Sequence, residues 1–147
     1  MLKKIKILPK IIKGDIKIDD RGSVSFVNNF NFFNVQRFYI VENKNKGQVR
    51  AWHGHRKEEK YIYPISGETL VGAVEVDDWK NPSKQCKTFS FKLSAKKPEV
   101  VFIPKGYANG FKSLTKDAKL MFFSTSTLNE SLKDDIRFDF KYWDIWG

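Results

Sequence analysis

The chain has 147 residues, 41% hydrophobic and 15% aromatic with 13 phenylalanines, enough for one core without staples and unlike a disordered segment. The net charge of +10 is carried mostly by dispersed lysines, with no basic stripe of the kind nucleic-acid binders present. No apolar stretch approaches the ~20 residues of a membrane span, and the single cysteine, Cys86, excludes an internal disulfide and suits a reducing cytoplasm.

The first residues are basic, but Pro9 and the lysines interrupt any apolar run. Residues 1–20 therefore read as an N-terminal strand or arm rather than a secretory signal. Alternation or β-branched and aromatic enrichment predicts strands over 24–27 and 35–41. A polar loop over 42–47 leads to a strand over 49–55. Strands over 61–65 and 69–76 flank the turn Ser66-Gly67-Glu68. After a loop through Asp77, Asp78, Asn81 and Pro82 come strands over 87–93 and 100–103, the turn Pro104-Lys105-Gly106, and a strand over 119–124. Helical periodicity is weak except over 128–136, where one short helix fits. The segment 138–147 is aromatic and reads as a closing segment or a dimer contact. Short strands with turn punctuation predict a single all-β sandwich or barrel over residues 1–147. The exposed edges such a fold leaves are often covered by a second copy, so a homodimer is expected.

The whole histidine supply of the chain, His53 and His55, lies on one predicted strand. Residues i and i+2 of a strand face the same side, so both imidazoles point together, with Trp52 and Gly54 on the other face. The order Gly47, His53, His55, Glu59, Gly67 resembles the first motif of the cupin superfamily. Pro104-Lys105-Gly106-Tyr107-Ala108-Asn109 resembles the second, which implies a jelly-roll barrel. His53, His55 and Glu59 are of the types that hold Fe, Mn or Zn. Asn109 stands where cupins often carry a further ligating histidine, so the site is read without a metal.

Most of the chain, from about residue 20 to 146, resembles the dTDP-4-dehydrorhamnose 3,5-epimerases and their relatives, the nucleotide-sugar 3,4-ketoisomerases. The similar segments are Asp20-Arg21-Gly22, Val35-Gln36, Val49-Arg50-Ala51-Trp52-His53, Lys60, and Ile103-Pro104-Lys105-Gly106-Tyr107-Ala108-Asn109-Gly110-Phe111. Asn109 replaces the family's histidine in that last segment. The region that supplies the epimerases' tyrosine acid reads Thr125-Ser126-Thr127-Leu128-Asn129-Glu130, without a tyrosine. Conversely, His55 completes a His-x-His similar to that of the ketoisomerases, in which Arg50 and Arg37-x-Tyr39 also have counterparts.

The resemblance implies a nucleoside-diphosphate 4-keto-6-deoxy sugar as substrate, dTDP-linked, in sugar synthesis for surface polysaccharide or glycoconjugate. The ketone acidifies the C–H bonds at C3 and C5. Neutral His53 takes such a proton, Asp139 orients the imidazole, and Lys60 stabilises the enolate oxygen. Proton return from the opposite face, by Tyr61, Tyr63, Tyr107 or Tyr142, gives epimerisation. Return to C4 through His55 moves the ketone to C3. Arg21, Arg37 and Arg50 are candidates for the diphosphate. Gln36, Tyr39 and Asn109 are candidates for further substrate contacts, and Phe26, Phe38 or Trp79 for stacking on the base. No redox cofactor is needed, and no Gly-rich nucleotide signature is present. A cupin that binds a sugar nucleotide without turning it over and a metal-dependent cupin enzyme such as an oxygenase are the remaining alternatives.

Overall fold

The computed structural model describes residues 6–147. The strands among them are β1 (Lys10–Lys13), β2 (Asp15–Asp19), β3 (Gly22–Phe26), β4 (Arg37–Glu42), β5 (Val49–His55), β6 (Lys60–Ser66), β7 (Glu68–Glu75), β8 (Thr88–Ser94), β9 (Glu99–Ile103), β10 (Tyr107–Ser113), β11 (Lys119–Ser124) and β12 (Ile136–Arg137). One helix, α1 (Leu128–Leu132), follows β11. Two five-stranded antiparallel sheets pack face to face, in the orders β1-β9-β6-β11-β4 and β12-β5-β10-β7-β8. This is the jelly-roll arrangement expected of a cupin. The β2–β3 hairpin pairs with neither sheet. No helix of the described residues is long and apolar enough to cross a membrane.

Alternation explains most of these strands. On β4, Arg37, Tyr39 and Val41 are half-buried, while Phe38, Ile40 and Glu42 are exposed. On β6, Lys60, Ile62 and Pro64 turn inward and the residues between them outward. Four strands have no separate counterpart in the sequence reading: β1 and β2 lie within the expected strand or arm, β10 follows the Pro104-Lys105-Gly106 turn, and β12 begins where the expected helix ends. The expected helix over 128–136 is shorter. Thr127 caps α1 in a reciprocal capping box with Glu130, and the chain leaves the helix after Leu132 to reach β12.

The inter-sheet core is apolar at one end. Ile62, Val71, Leu93, Val101, Ile103, Phe111, Leu120 and Phe122 are buried there, on strands β6 to β11. A second apolar layer lies on the back of the β5–β10–β7 sheet, where Trp52, Val74 and Ala108 are covered by Trp143 and Trp146 of the tail. The aromatic tail is thus a closing segment. Gly72 makes room for it: a Cβ there would lie 2.6 Å from Ile145 and 2.9 Å from Trp146. Trp143 Nε1 donates to Ser83 O at 2.9 Å, and Lys112 Nζ to Trp146 O at 2.8 Å.

β5 departs from simple alternation at one point. Asn109 of β10 faces His53, and Phe111 faces Arg50, so two steps on β10 meet three on β5. The additional residue is a β-bulge. Ala51 and Trp52 both turn to the back layer, and Gly110 stands opposite them. A Cβ on Gly110 would come within 2.4 Å of the Ala51 Cβ.

Candidate active site

A cavity of about 250 Å³ opens between the sheets at their β4 and β5 ends. β4 contributes Arg37 and Tyr39; β5 contributes Arg50, His53 and His55; β6 contributes Lys60; β10 contributes Asn109. The floor is apolar, made by Val41, Phe111 and Phe122, and the rim is closed by Ser131 and Leu132 of α1 with Asp135 and Arg137. The volume suits a sugar ring. A nucleotide attached to that ring would have to lie outward, past the exposed Arg50.

Both imidazoles line this cavity, and each is held mainly neutral by its surroundings. Burial pushes the His53 pKa down to about 4; the positive charges of Lys60 and Arg137 push the same way, and Asp135 opposes them. Burial and then Lys60 lower that of His55 as well, with Glu58 and a bond to the Asp134 backbone opposing. His55 Nδ1 lies 2.6 Å from Asp134 O. A carbonyl oxygen only accepts, so Nδ1 carries the proton. His55 Nε2 is left with the lone pair, buried and without a hydrogen-bond partner among the described residues.

Asp134 ties this corner together. Its carboxylate accepts from the backbone N–H of Arg56 (2.8 Å), Lys57 (2.9 Å) and Glu58 (2.9 Å). The turn between β5 and β6 is thereby wrapped around a side chain that arrives from beyond α1, 76 to 78 residues away. That contact fixes the distance between the histidine strand and Lys60.

Lys60 Nζ lies in the cavity wall, 5.8 Å from the Tyr39 ring centroid and 5.6 Å from that of Phe122. Tyr39 stacks flat on Phe122 at 5.1 Å with its ring under the Arg37 guanidinium. Arg50 Nε donates to Asn43 Oδ1 at 2.8 Å, and the buried Asn43 is anchored in turn through Ser113 Oγ. Asn109 Nδ2 donates to His53 O at 3.3 Å, which turns its amide towards the β5 backbone.

Other expected residues lie elsewhere. Asp139 is exposed, accepts from Lys141 N at 2.8 Å and does not line the cavity. The chain turns outward after Phe138, so the expected orienting contact with His53 is not made; Asp135 is the carboxylate near that imidazole. Gln36 is exposed beside the start of β4, and its N–H donates to Ser124 O. Arg21 sits on the β2–β3 hairpin, ion-paired to Asp19 at 2.7 Å. Of the four tyrosines considered as acids, none lines the cavity. Tyr61 and Tyr63 are one pleat out of phase with Lys60, the hydroxyl of Tyr107 reaches Ile7 O at 3.5 Å, and that of Tyr142 bonds to Pro82 O. The one phenol in the cavity is Tyr39, on the sheet facing His53. Phe38 is exposed on the outer face, Phe26 lies in the hairpin, and Trp79 stacks on Phe138.

The cupin metal pattern does not converge here. Glu59, its third member, accepts from Lys105 N at 3.2 Å outside the cavity, and Lys60 brings a cation among the imidazoles. Among the described residues no three His, Cys, Asp or Glu side chains are grouped to hold a metal. Asp134, Asp135 and Glu58 were missed in the sequence.

A family model described as dTDP-4-dehydrorhamnose 3,5-epimerase matches residues 10–145. No curated protein matches the chain. Among solved structures, a dTDP-4-dehydrorhamnose 3,5-epimerase from Sulfolobus tokodaii aligns with a TM-score of 0.76 at 24% identity, over 97% of this chain and 83% of that one. The dTDP-6-deoxy-D-glucose-3,5-epimerase of Legionella pneumophila, solved in complex with dTDP-4-keto-L-rhamnose, aligns with a TM-score of 0.75 at 20% identity, over 93% and 77% of the two chains. A 3,4-ketoisomerase from Helicobacter canadensis gives 0.68 at 20% identity, over 94% and 96%. At these identities the structural likeness is one of fold.

Proposed function

The chain belongs to the dTDP-4-dehydrorhamnose 3,5-epimerase family, and from that premise we propose that it isomerises a dTDP-linked 4-keto-6-deoxy sugar by removing a proton beside the ketone. The observation that supports this most is the pair of neutral imidazoles inside a sugar-sized cavity, with Lys60 between the sheets beside them.

His53 takes the proton from C3 or C5. The electrons of the C–H bond move into an enolate whose negative charge rests on O4, and Lys60 stabilises that oxygen in a site screened from water. As the charge forms, it offsets the field of Lys60 on His53 and makes the imidazole a better base than it is in the empty cavity. Epimerisation then requires a proton from the opposite face. Tyr39, on the facing sheet under Arg37, is the group placed for it. Arg50, held by Asn43 at the cavity mouth, and Arg37 take the diphosphate.

A second reading, 3,4-ketoisomerisation, is favoured by one observation: His55 lies on the same face as His53 with its Nε2 lone pair free. There C3 loses its proton and O4 gains one to give an enediol, then O3 loses its proton and C4 gains one over the same face of the ring, so a C4–H bond replaces the C3–H bond and the ketone moves from C4 to C3.

The enzyme is further read as a cytoplasmic homodimer acting in polysaccharide or glycoconjugate sugar synthesis. The detached β2–β3 hairpin, with Ile18 and Val24 exposed, and the exposed Phe32, Phe33, Phe38 and Ile40 support a partner copy. Incubation with dTDP-4-keto-6-deoxyglucose in deuterated water tests the chemistry. Deuterium at C3 or C5 marks enolisation, an inverted centre at that carbon marks epimerisation, and a 3-keto product marks ketone migration. Binding without either outcome would make the protein a sugar-nucleotide binder.

A further inference from the structure

Glu58 is among the largest fully buried side chains of the protein. Among the described residues, neither carboxylate oxygen has a hydrogen-bond partner. Burying an anion this way is costly unless opposite charge lies close. Three groups surround it, from three strands. Lys60 Nζ of β6 is 3.7 Å from Oε2, Arg37 Nη2 of β4 is 4.0 Å from Oε2, and His55 Nδ1 of β5 is 4.0 Å from Oε1. From the β12 side, Asp134 holds the Glu58 backbone N–H.

All three surrounding side chains line the cavity, whereas Glu58 stands behind them. Among the described residues, Glu58 is the sole carboxylate within 4.0 Å of either Lys60 or Arg37. A finished structural ion pair closes to about 2.7–2.9 Å. Here the cations stop about 1 Å short of that, and the buried Arg37 Nε is also unbonded. The cations lean towards the cavity and share one charge behind them.

We propose that Glu58 is a positioning residue of the isomerase site: its buried carboxylate is the common counter-charge that holds Lys60 and Arg37 at the cavity wall and supports the proton that His55 carries during turnover. When His55 Nε2 accepts a proton from a substrate hydroxyl, the ring becomes an imidazolium beside Lys60. Glu58, on the Nδ1 side, offsets that charge until the proton returns to a carbon of the same sugar. No atom or electron is lost from the substrate.

This inference rests on the isomerase reading of the cavity and, for the His55 step, on ketone migration, so its test includes a readout that needs no substrate. In Glu58→Gln, which keeps shape and removes charge, the 15N imidazole titration of His55 moves to lower pH, while that of His53 moves less. The variant's kcat for a dTDP-4-keto-6-deoxy sugar falls about tenfold or more, with KM changing less than about threefold. Glu58→Asp, which restores the charge on a shorter arm, recovers part of both effects. If Glu58→Gln does not fold, Lys60→Met is compared with the Glu58→Gln/Lys60→Met pair, in which the part-exposed Arg37 is the one cation left without its carboxylate instead of two; the His55 midpoint is lower in the pair. An unchanged His55 midpoint in these comparisons overturns the role of Glu58 even if turnover is found. A shifted midpoint without any turnover on sugar nucleotides leaves the charge coupling standing and removes the isomerase reading instead.

Discussion

Arg50 and His53 face the same cavity although they are three residues apart on one strand. A regular strand would send them to opposite sides. The bulge across from Gly110 brings them together by turning both Ala51 and Trp52 to the back layer. A phosphate-binding cation and a proton-accepting imidazole are thereby placed on one wall, with the cation nearer the mouth.

Gly110→Ala is expected to disrupt that placement. Its Cβ would lie 2.4 Å from the Ala51 Cβ and 3.0 Å from the Ala51 Cα, so the strands must separate. Overpacking of this kind costs roughly 1–3 kcal/mol, read as a lower urea midpoint. Turnover should fall more than the remaining folded fraction explains, because Arg50 and His53 lose their common side.

Arg50→Ala is expected to weaken binding of dTDP or of the sugar nucleotide while changing kcat little. A charge-assisted bond of this class contributes about 1.5–3 kcal/mol, or roughly ten- to a hundredfold in Kd. Titration calorimetry with dTDP measures it. An unaltered Kd would remove Arg50 from the phosphate site.

The two histidines set the response to acid. The folded-state pKa of His53, about 4, lies below its ordinary 6.5, and that of His55 is also lowered. Between those values the unfolded chain binds protons that the folded chain refuses. Stability is therefore full above pH 6.5 and falls as pH drops towards 4, by roughly 2–3 kcal/mol for His53 alone. The acid limb of kcat/KM should lie well below pH 6.5. Urea unfolding at pH 7, 6, 5 and 4.5 checks the first statement and a pH–rate profile the second.

Asp134→Ala is expected to destabilise the protein by about 2 kcal/mol, because three backbone N–H groups of the β5–β6 turn lose their acceptor. Activity should fall further than stability, since that turn sets the spacing of His55, Glu58 and Lys60. Denaturation and steady-state kinetics on the same preparation separate the two effects.

Much of this site was legible because β-structure has a period of two. His53 and His55 on one face follow from alternation; Lys60, Arg37 and Tyr39 are legible through the family resemblance, and the same alternation turns them inward. The same rule, applied to Lys60, would have excluded Tyr61 as an inward acid. What was not legible depends on contacts distant in sequence. The bulge is a register shift between β5 and β10, and it shows in the chain only as Gly110. Asp134 and Asp135 reach the site because α1 is short and β12 returns to pair with β5. Asp139 lies four positions beyond Asp135, the carboxylate near His53, and past Arg137, where the segment leaves the cavity. Glu58 reads as one charge among many until three strands close around it.

The most direct test of the account is solvent exchange in deuterated water with dTDP-4-keto-6-deoxyglucose, comparing the wild-type protein with His53→Ala. The wild type is predicted to incorporate deuterium beside the ketone. His53→Ala removes a half-buried ring that makes no side-chain hydrogen bond among the described residues, so the variant should remain folded and lose about 10²–10⁴-fold in exchange rate. Equal exchange in a folded His53→Ala protein, or no exchange in the wild type, would contradict it.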